Sequence, residues 1–133
     1  MSGRTWIIVG ALLAALAVLA GAFGVHGLKQ QVKAGTRTAD QLATFETAVR
    51  YQMFHAIALI LVGLASRANG ISPCTRIAAV AFLLGIVLFC GWLYANVLWG
   101  NVALPFIVPI GGTAFVVGWV ALAVAAWHWP AAR

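Results

Sequence analysis

The sequence predicts an all-α membrane protein, a bundle of four transmembrane helices, and three observations carry that prediction. Of the 133 residues, 64% are hydrophobic and only 8% are charged, whereas soluble domains average about 45–50% and about 25%. The mean hydropathy is +1.02. A chain this short leaves much of its surface exposed however it folds, so the solvent around it must be largely lipid. The apolar residues also fall into four blocks of about 20, the length a helix needs to cross a hydrocarbon core of about 30 Å. The strands of a membrane barrel would alternate apolar and polar residues, and these blocks do not. One domain over residues 1–133 follows, with helices expected at about 6–25, 39–66, 77–98 and 105–127.

The first block begins at Trp6, behind Arg4. Its apolar run exceeds the usual signal-peptide core of about 7–15 residues, so it reads as a transmembrane helix. Gly10, Ala14, Ala17, Gly21 and Gly24 recur along it at three- and four-residue steps. Small residues on one face allow close helix approach in lipid. Gly85 on the third helix and Gly111, Gly112 and Gly118 on the fourth are candidates for the same part. Packing inside the monomer is the favoured use of this seam, and a homo-oligomer contact is the alternative.

The connection from His26 to Thr44 is the long, polar one, with Lys29, Lys33, Arg37 and Asp40. Thr38 and Gln41 match a capping box, so the second helix is expected to start near Ala39. Asn69-Gly70 and Ser72-Pro73 mark a turn before the third helix. Gly100-Asn101 marks a short connection before the fourth, which opens with Pro105 and Pro109; proline fits best in a first turn. Trp6, Trp99, Trp127 and Trp129 fall at span ends and suit an interfacial aromatic belt. Trp92 and Trp119 lie deeper and are expected to pack.

Four crossings put both termini and the second connection on one side, with Arg4, Arg67, Arg76 and Arg133. The other side has Lys29, Lys33 and Arg37. The positive-inside rule then favours cytoplasmic termini, in a bacterial cytoplasmic membrane. The net charge of +6 comes from single bases scattered between apolar blocks, which is no nucleic-acid patch. Cys74 and Cys90 imply neither a disulfide framework nor a metal site.

The unusual span residues gather in one leaflet. Glu46 and Arg50 are four apart on the second helix, in the favourable order for an ion pair. An arginine within a span costs roughly 2.5–3.5 kcal/mol on insertion scales, and pairing near the interface would lower that cost. Thr47, Tyr51 and His55 share one strip, Gln52 stands further round, and Glu46 and His55 point to nearly opposite sides. His55 lies deep, and an ionisable residue there marks a functional site by default; its bland alternative is a neutral imidazole bonded to a neighbouring helix. Asn96, near the end of the third helix, is a candidate for bonding across helices. Haem ligation would need two facing histidines, and His26 sits at the membrane edge, far from His55. His128 reads as interfacial.

No nucleophile elbow, phosphate loop, zinc spacing or dinucleotide fingerprint is present, and Asp40 and Glu46 are the only carboxylates. Neither enzymatic activity nor a cofactor or metal is expected.

GAFGVHGL at 21–28, FETAVRYQMFHAIAL at 45–59, LFCGWLY at 88–94 and PIGG followed by GW at 109–119 together resemble the small YgdD/YwdK-type integral membrane proteins, domain-of-unknown-function family 423. The resemblance spans nearly the whole chain. It implies a four-helix integral membrane protein and no reaction. It makes His26, Glu46, Arg50, Gln52 and His55 site candidates. Cys90 and Trp92 depart from the small or polar residues expected there.

The leading expectation is a non-enzymatic bundle with a polar pocket in one leaflet, formed by His26, Glu46, Arg50, Tyr51, Gln52 and His55 and closed by Asn96, for a small ligand, lipid headgroup or ion. The alternative is a structural or assembly subunit of a membrane complex. A haem or quinone redox protein is the weaker one. The expected partners are membrane lipids and either further copies of the chain or a larger complex.

Overall fold

The structure, a computed structural model, describes residues 1–100 and 106–129. Asn101, Pro105 and Arg133, which belong to the third connection, the start of the fourth helix and the charge balance, lie outside the described residues. Four helices are long and apolar enough to cross a membrane: α1 (Gly3–Lys33), α2 (Ala39–Asn69), α3 (Pro73–Trp99) and α4 (Ile107–Trp127).

The helix starts follow from their caps. The Thr38 hydroxyl accepts from Gln41 N–H at 3.1 Å, and the Gln41 side chain accepts from Thr38 N–H at 3.0 Å. Ser72 and Thr75 form an equivalent box at 3.1 and 3.0 Å, followed by Pro73 in the first helical turn. Helix α3 therefore starts at Pro73 and not at residue 77. Gly70, at φ +82°, ends α2 in a conformation that favours glycine. Helix α1 does not stop at Val25. It passes through a π-helical turn, Gly24–Leu28, and continues to Lys33. Most of the expected long connection is thus helix: Lys29, Gln30, Gln31 and Lys33 are good helix formers that leave the apolar span for water.

The helices are antiparallel neighbours in chain order. A Cβ added to Gly3 would stand 2.6 Å from the carbonyl oxygen of Gly63, and one added to Gly63 would stand 2.7 Å from that of Gly3. Gly10 is equally close to the Ala56 carbonyl, at 2.7 Å, and Gly21 faces Val49. The seam of Gly10, Ala17 and Gly21 is therefore a contact within the monomer. Between α3 and α4 the fit is ring into glycine. Phe115 covers Gly85, where a Cβ would come within 2.4 Å of the ring, and Phe82 covers Gly118, at 2.5 Å. Gly111 lies against the Phe89 backbone, while Gly112 has only ordinary contact with the Phe89 ring, at 4.0 Å.

Helices α2 and α3 form the centre, with 44% and 39% of their spans buried against 17% for α1 and for α4. Trp6 is 4% exposed and belongs to the core with Leu59, Val62, Ala78 and Phe82. It is not part of the interfacial belt, because close approach at Gly3 and Gly10 draws this end of α1 onto α2. Trp99 and Trp127 are exposed, as belt residues would be. Helix α4 reaches α2 through aromatic side chains: Tyr51 lies 6.0 Å from Phe115, and His55 3.5 Å from Phe115.

Candidate functional site

His55 sits where three helices meet. Its imidazole stacks on Phe115 at an interplanar angle of 15° and stands 5.6 Å from the Phe82 ring. Trp119 Nε1–H donates to His55 Nε2 at 3.2 Å. Indole nitrogen can only donate, so Nε2 must accept and Nδ1 carries the proton. That Nδ1–H donates to the Tyr51 carbonyl at 2.7 Å. Both nitrogens are engaged, and the ring is neutral, satisfied and buried.

Gln52 is also occupied. Its side-chain amide donates to the Leu13 carbonyl of α1 at 2.9 Å. Together these bonds join α1 to α2 and α2 to α4 inside the span. An unsatisfied amide or imidazole there would cost about 1–3 kcal/mol, so both side chains fix helix positions. Tyr51 is 40% exposed and its ring lies 4.8 Å from Phe89. Phe89 belongs to a second π-helical turn, Ile86–Cys90.

Glu46 and Arg50 are on the other side of α2. Both are exposed, and among the described residues no hydrogen bond or ion pair joins them to each other or to any other side chain. The expected intrahelical pair is not formed. Arg4 and Lys29 bracket the uncharged run of α1, and its middle faces α2 near Gln52, given that Gly10 faces Ala56 and Gly21 faces Val49. Asp40 and Arg67 bracket α2 about the same level. Taking these charges as the edges of the span, at 1.5 Å per residue, puts the Arg50 backbone about 3–5 Å and that of Glu46 about 9–11 Å from its middle. Both distances are shorter than a hydrocarbon half-thickness of about 15 Å. The two residues border an open groove of about 260 Å³ with Gly21, Gly24, Val25, Phe45 and Val49.

The expected pocket is therefore divided. Glu46 and Arg50 share one groove; Gln52 and His55 are bonded in the interior; His26 is exposed on the first π-helical turn. Asn96 is half-buried at the end of α3, where its carbonyl accepts from Gly100 N–H at 3.0 Å. His26 lies level with Phe45, ten residues or about 15 Å along α2 from His55, so the two histidines do not converge on one ligand.

Two features escaped the sequence. Arg37 reaches α3: Nη1 donates to the Val97 carbonyl and Nη2 to the Leu98 carbonyl at 3.2 Å, while Nε is held by the Gln31 side chain at 2.9 Å. A guanidinium thus caps carbonyls that a helix end leaves without partners. Its partners are some 60 residues away, and nothing in the local sequence announces them. Tyr94 packs on Phe45 at 4.9 Å, and its hydroxyl is buried without a hydrogen-bond partner among the described residues.

Comparison with known proteins gives a consistent family signal. The family model described as protein of unknown function (DUF423) matches residues 20–112. A UPF0382 membrane protein of Staphylococcus aureus (strain bovine RF122 / ET3-1) is 38% identical over 122 residues, 92% of this chain and 94% of that protein. The UPF0382 membrane protein YwdK of Bacillus subtilis is 40% identical over 124 residues, 92% of this chain and 96% of YwdK. A UPF0382 membrane protein of Haemophilus influenzae is 36% identical over 118 residues, 89% and 90% of the two chains. No solved structure matches.

Proposed function

This chain belongs to the DUF423 family of membrane proteins, and from that premise we propose that it is a non-enzymatic assembly subunit whose α2 face meets a protein partner inside the membrane. One observation carries the reading. Gln52 and His55 are satisfied within the monomer, whereas Glu46 and Arg50 are exposed and, among the described residues, unpaired, at positions that the charge pattern puts within the span. Charged side chains within a bilayer almost always face a bundle interior or a cavity and pair with one another. A partner with charges at the same depth would supply that pairing.

The test is the native mass of the protein after gentle extraction. The wild-type chain should run in an assembly larger than a monomer. Glu46→Gln with Arg50→Gln should fold normally and lose that assembly. A wild-type chain that is monomeric in its native membrane would sink the reading.

The groove beside Gly21 and Gly24 favours a second reading, a site for a lipid headgroup or small ion held by Arg50 and Glu46. It is the weaker one on depth. Headgroups lie in the outer layers of a bilayer about 40–45 Å thick, so a headgroup would have to be drawn into the hydrocarbon to reach Arg50.

We also place both termini in the cytoplasm of a bacterial cell. Arg4, Arg67 and Arg76 stand at the end where α1 begins and α2 turns into α3. At the other end stand Lys29, Lys33 and Arg37, so the reading rests on the sequence margin of Arg4, Arg67, Arg76 and Arg133 over these three. That distribution favours cytoplasmic termini.

A further inference from the structure

We infer that the partner of the α2 face is a second copy of this chain, in a parallel twofold dimer in which Glu46 of each copy pairs with Arg50 of the other. The inference rests on the assembly reading and names its partner.

The face is well defined. Glu46, Arg50, Phe54, Ile57, Leu61 and Leu64 follow one another at steps of four, four, three, four and three, so they form one stripe. The four apolar members are 57, 45, 49 and 52% exposed. Alternation of threes and fours is the spacing by which one helix packs along another at a shallow angle. The small-residue seam of α1, the other candidate for self-association, is already used inside the monomer, where Gly3 and Gly10 meet α2 backbone.

Charge complementarity identifies the occupant. A symmetric membrane dimer has its axis along the bilayer normal, and each residue then meets its counterpart at identical depth. An isologous contact is self-complementary. A stripe carrying one acid and one base a single turn apart meets an acid and a base, and two crossed pairs close the contact. Arginine side chains on a helix lean toward its N-terminus, which on α2 carries the Arg50 guanidinium toward the level of Glu46. No headgroup, ion or water has to be brought to this depth. Below the charges the apolar members pack with no polar group left over.

The experiment separates pairing between chains from pairing within one. Glu46→Arg leaves two bases on the stripe, and Arg50→Glu leaves two acids. Each variant, reconstituted alone in phospholipid vesicles, should lose dimerisation by about tenfold, the scale of two weakened interhelical polar contacts in lipid. Differently tagged and reconstituted together, the two should co-purify as a mixed dimer. Glu46→Gln with Arg50→Gln, which carries no net charge change, should fold and show the same weakening. A mixture that does not associate, or single variants that dimerise like wild type, would overturn the inference. So would a wild-type monomer that runs in a larger complex in native membranes; the assembly reading would then stand with a different partner. A monomer that retains one phospholipid per chain, lost in both single variants, would overturn both in favour of headgroup binding.

Discussion

The indole N–H of Trp119 is bonded to Nε2 of His55, across the gap between α4 and α2. That bond fixes the imidazole as the Nδ1–H tautomer and accounts for an ionisable residue in the middle of an apolar span. Trp119→Phe keeps the ring stack and leaves Nε2 without its donor. It is expected to lower stability by about 1 kcal/mol, read as an earlier transition in thermal or SDS unfolding. If His55 instead served a ligand on α2 alone, this substitution would leave stability unchanged.

Aromatic rings seated on glycines hold α3 to α4. Gly85→Ala would place a methyl within 2.4 Å of the Phe115 ring, so a loss of about 1–3 kcal/mol is expected from overpacking. Gly91 is the control on the same helix. Nothing lies within 4 Å of an added Cβ there, and Gly91→Ala should be neutral or stabilising by up to about 1 kcal/mol. Unfolding midpoints of the two variants decide the point.

Arg37 ties the end of α1 to the end of α3. Arg37→Met keeps much of the side-chain volume and removes the donors to Val97 and Leu98. A loss of about 1.5–3 kcal/mol is expected for bonds to a charged group. Arg37→Lys should recover little of it, because an ammonium cannot reproduce the planar fork. Hydrogen exchange at the end of α3 should rise in both variants.

Tyr94 presents the opposite case. Its hydroxyl is buried and has no partner among the described residues, so it contributes desolvation without a bond. Tyr94→Phe should be neutral or stabilising by about 1 kcal/mol in unfolding measurements. A marked loss of stability would mean that the hydroxyl has a bonding partner in the folded protein.

The four spans were legible because length and hydropathy are summed over about 20 residues, and no single contact can reverse such a sum. The capping box at Thr38 was legible because its partner is three residues away. What the sequence did not disclose depended on partners distant in the chain. The Arg37 cap needs Val97 and Leu98, the His55 tautomer needs Trp119, and the burial of Trp6 needs the backbone approach at Gly3 and Gly63. The candidate pocket divided for the same reason. Helical periodicity correctly set Glu46 and His55 on opposite sides of α2, yet periodicity alone does not say which side another helix covers.

Disulfide trapping along the α2 stripe tests the self-association most directly. With Cys74 and Cys90 replaced by serine, Phe54→Cys should cross-link chain to chain under mild oxidation in native membranes. Leu12→Cys, 62% exposed on α1 at native Leu12, should not. Packed helices run about 8–10 Å apart, so cysteines on a shared stripe come within the reach of a disulfide while those on an outer face do not. Cross-linking at Phe54 and not at Leu12 is the expected result. Equal cross-linking at both positions, or none at Phe54, would contradict it.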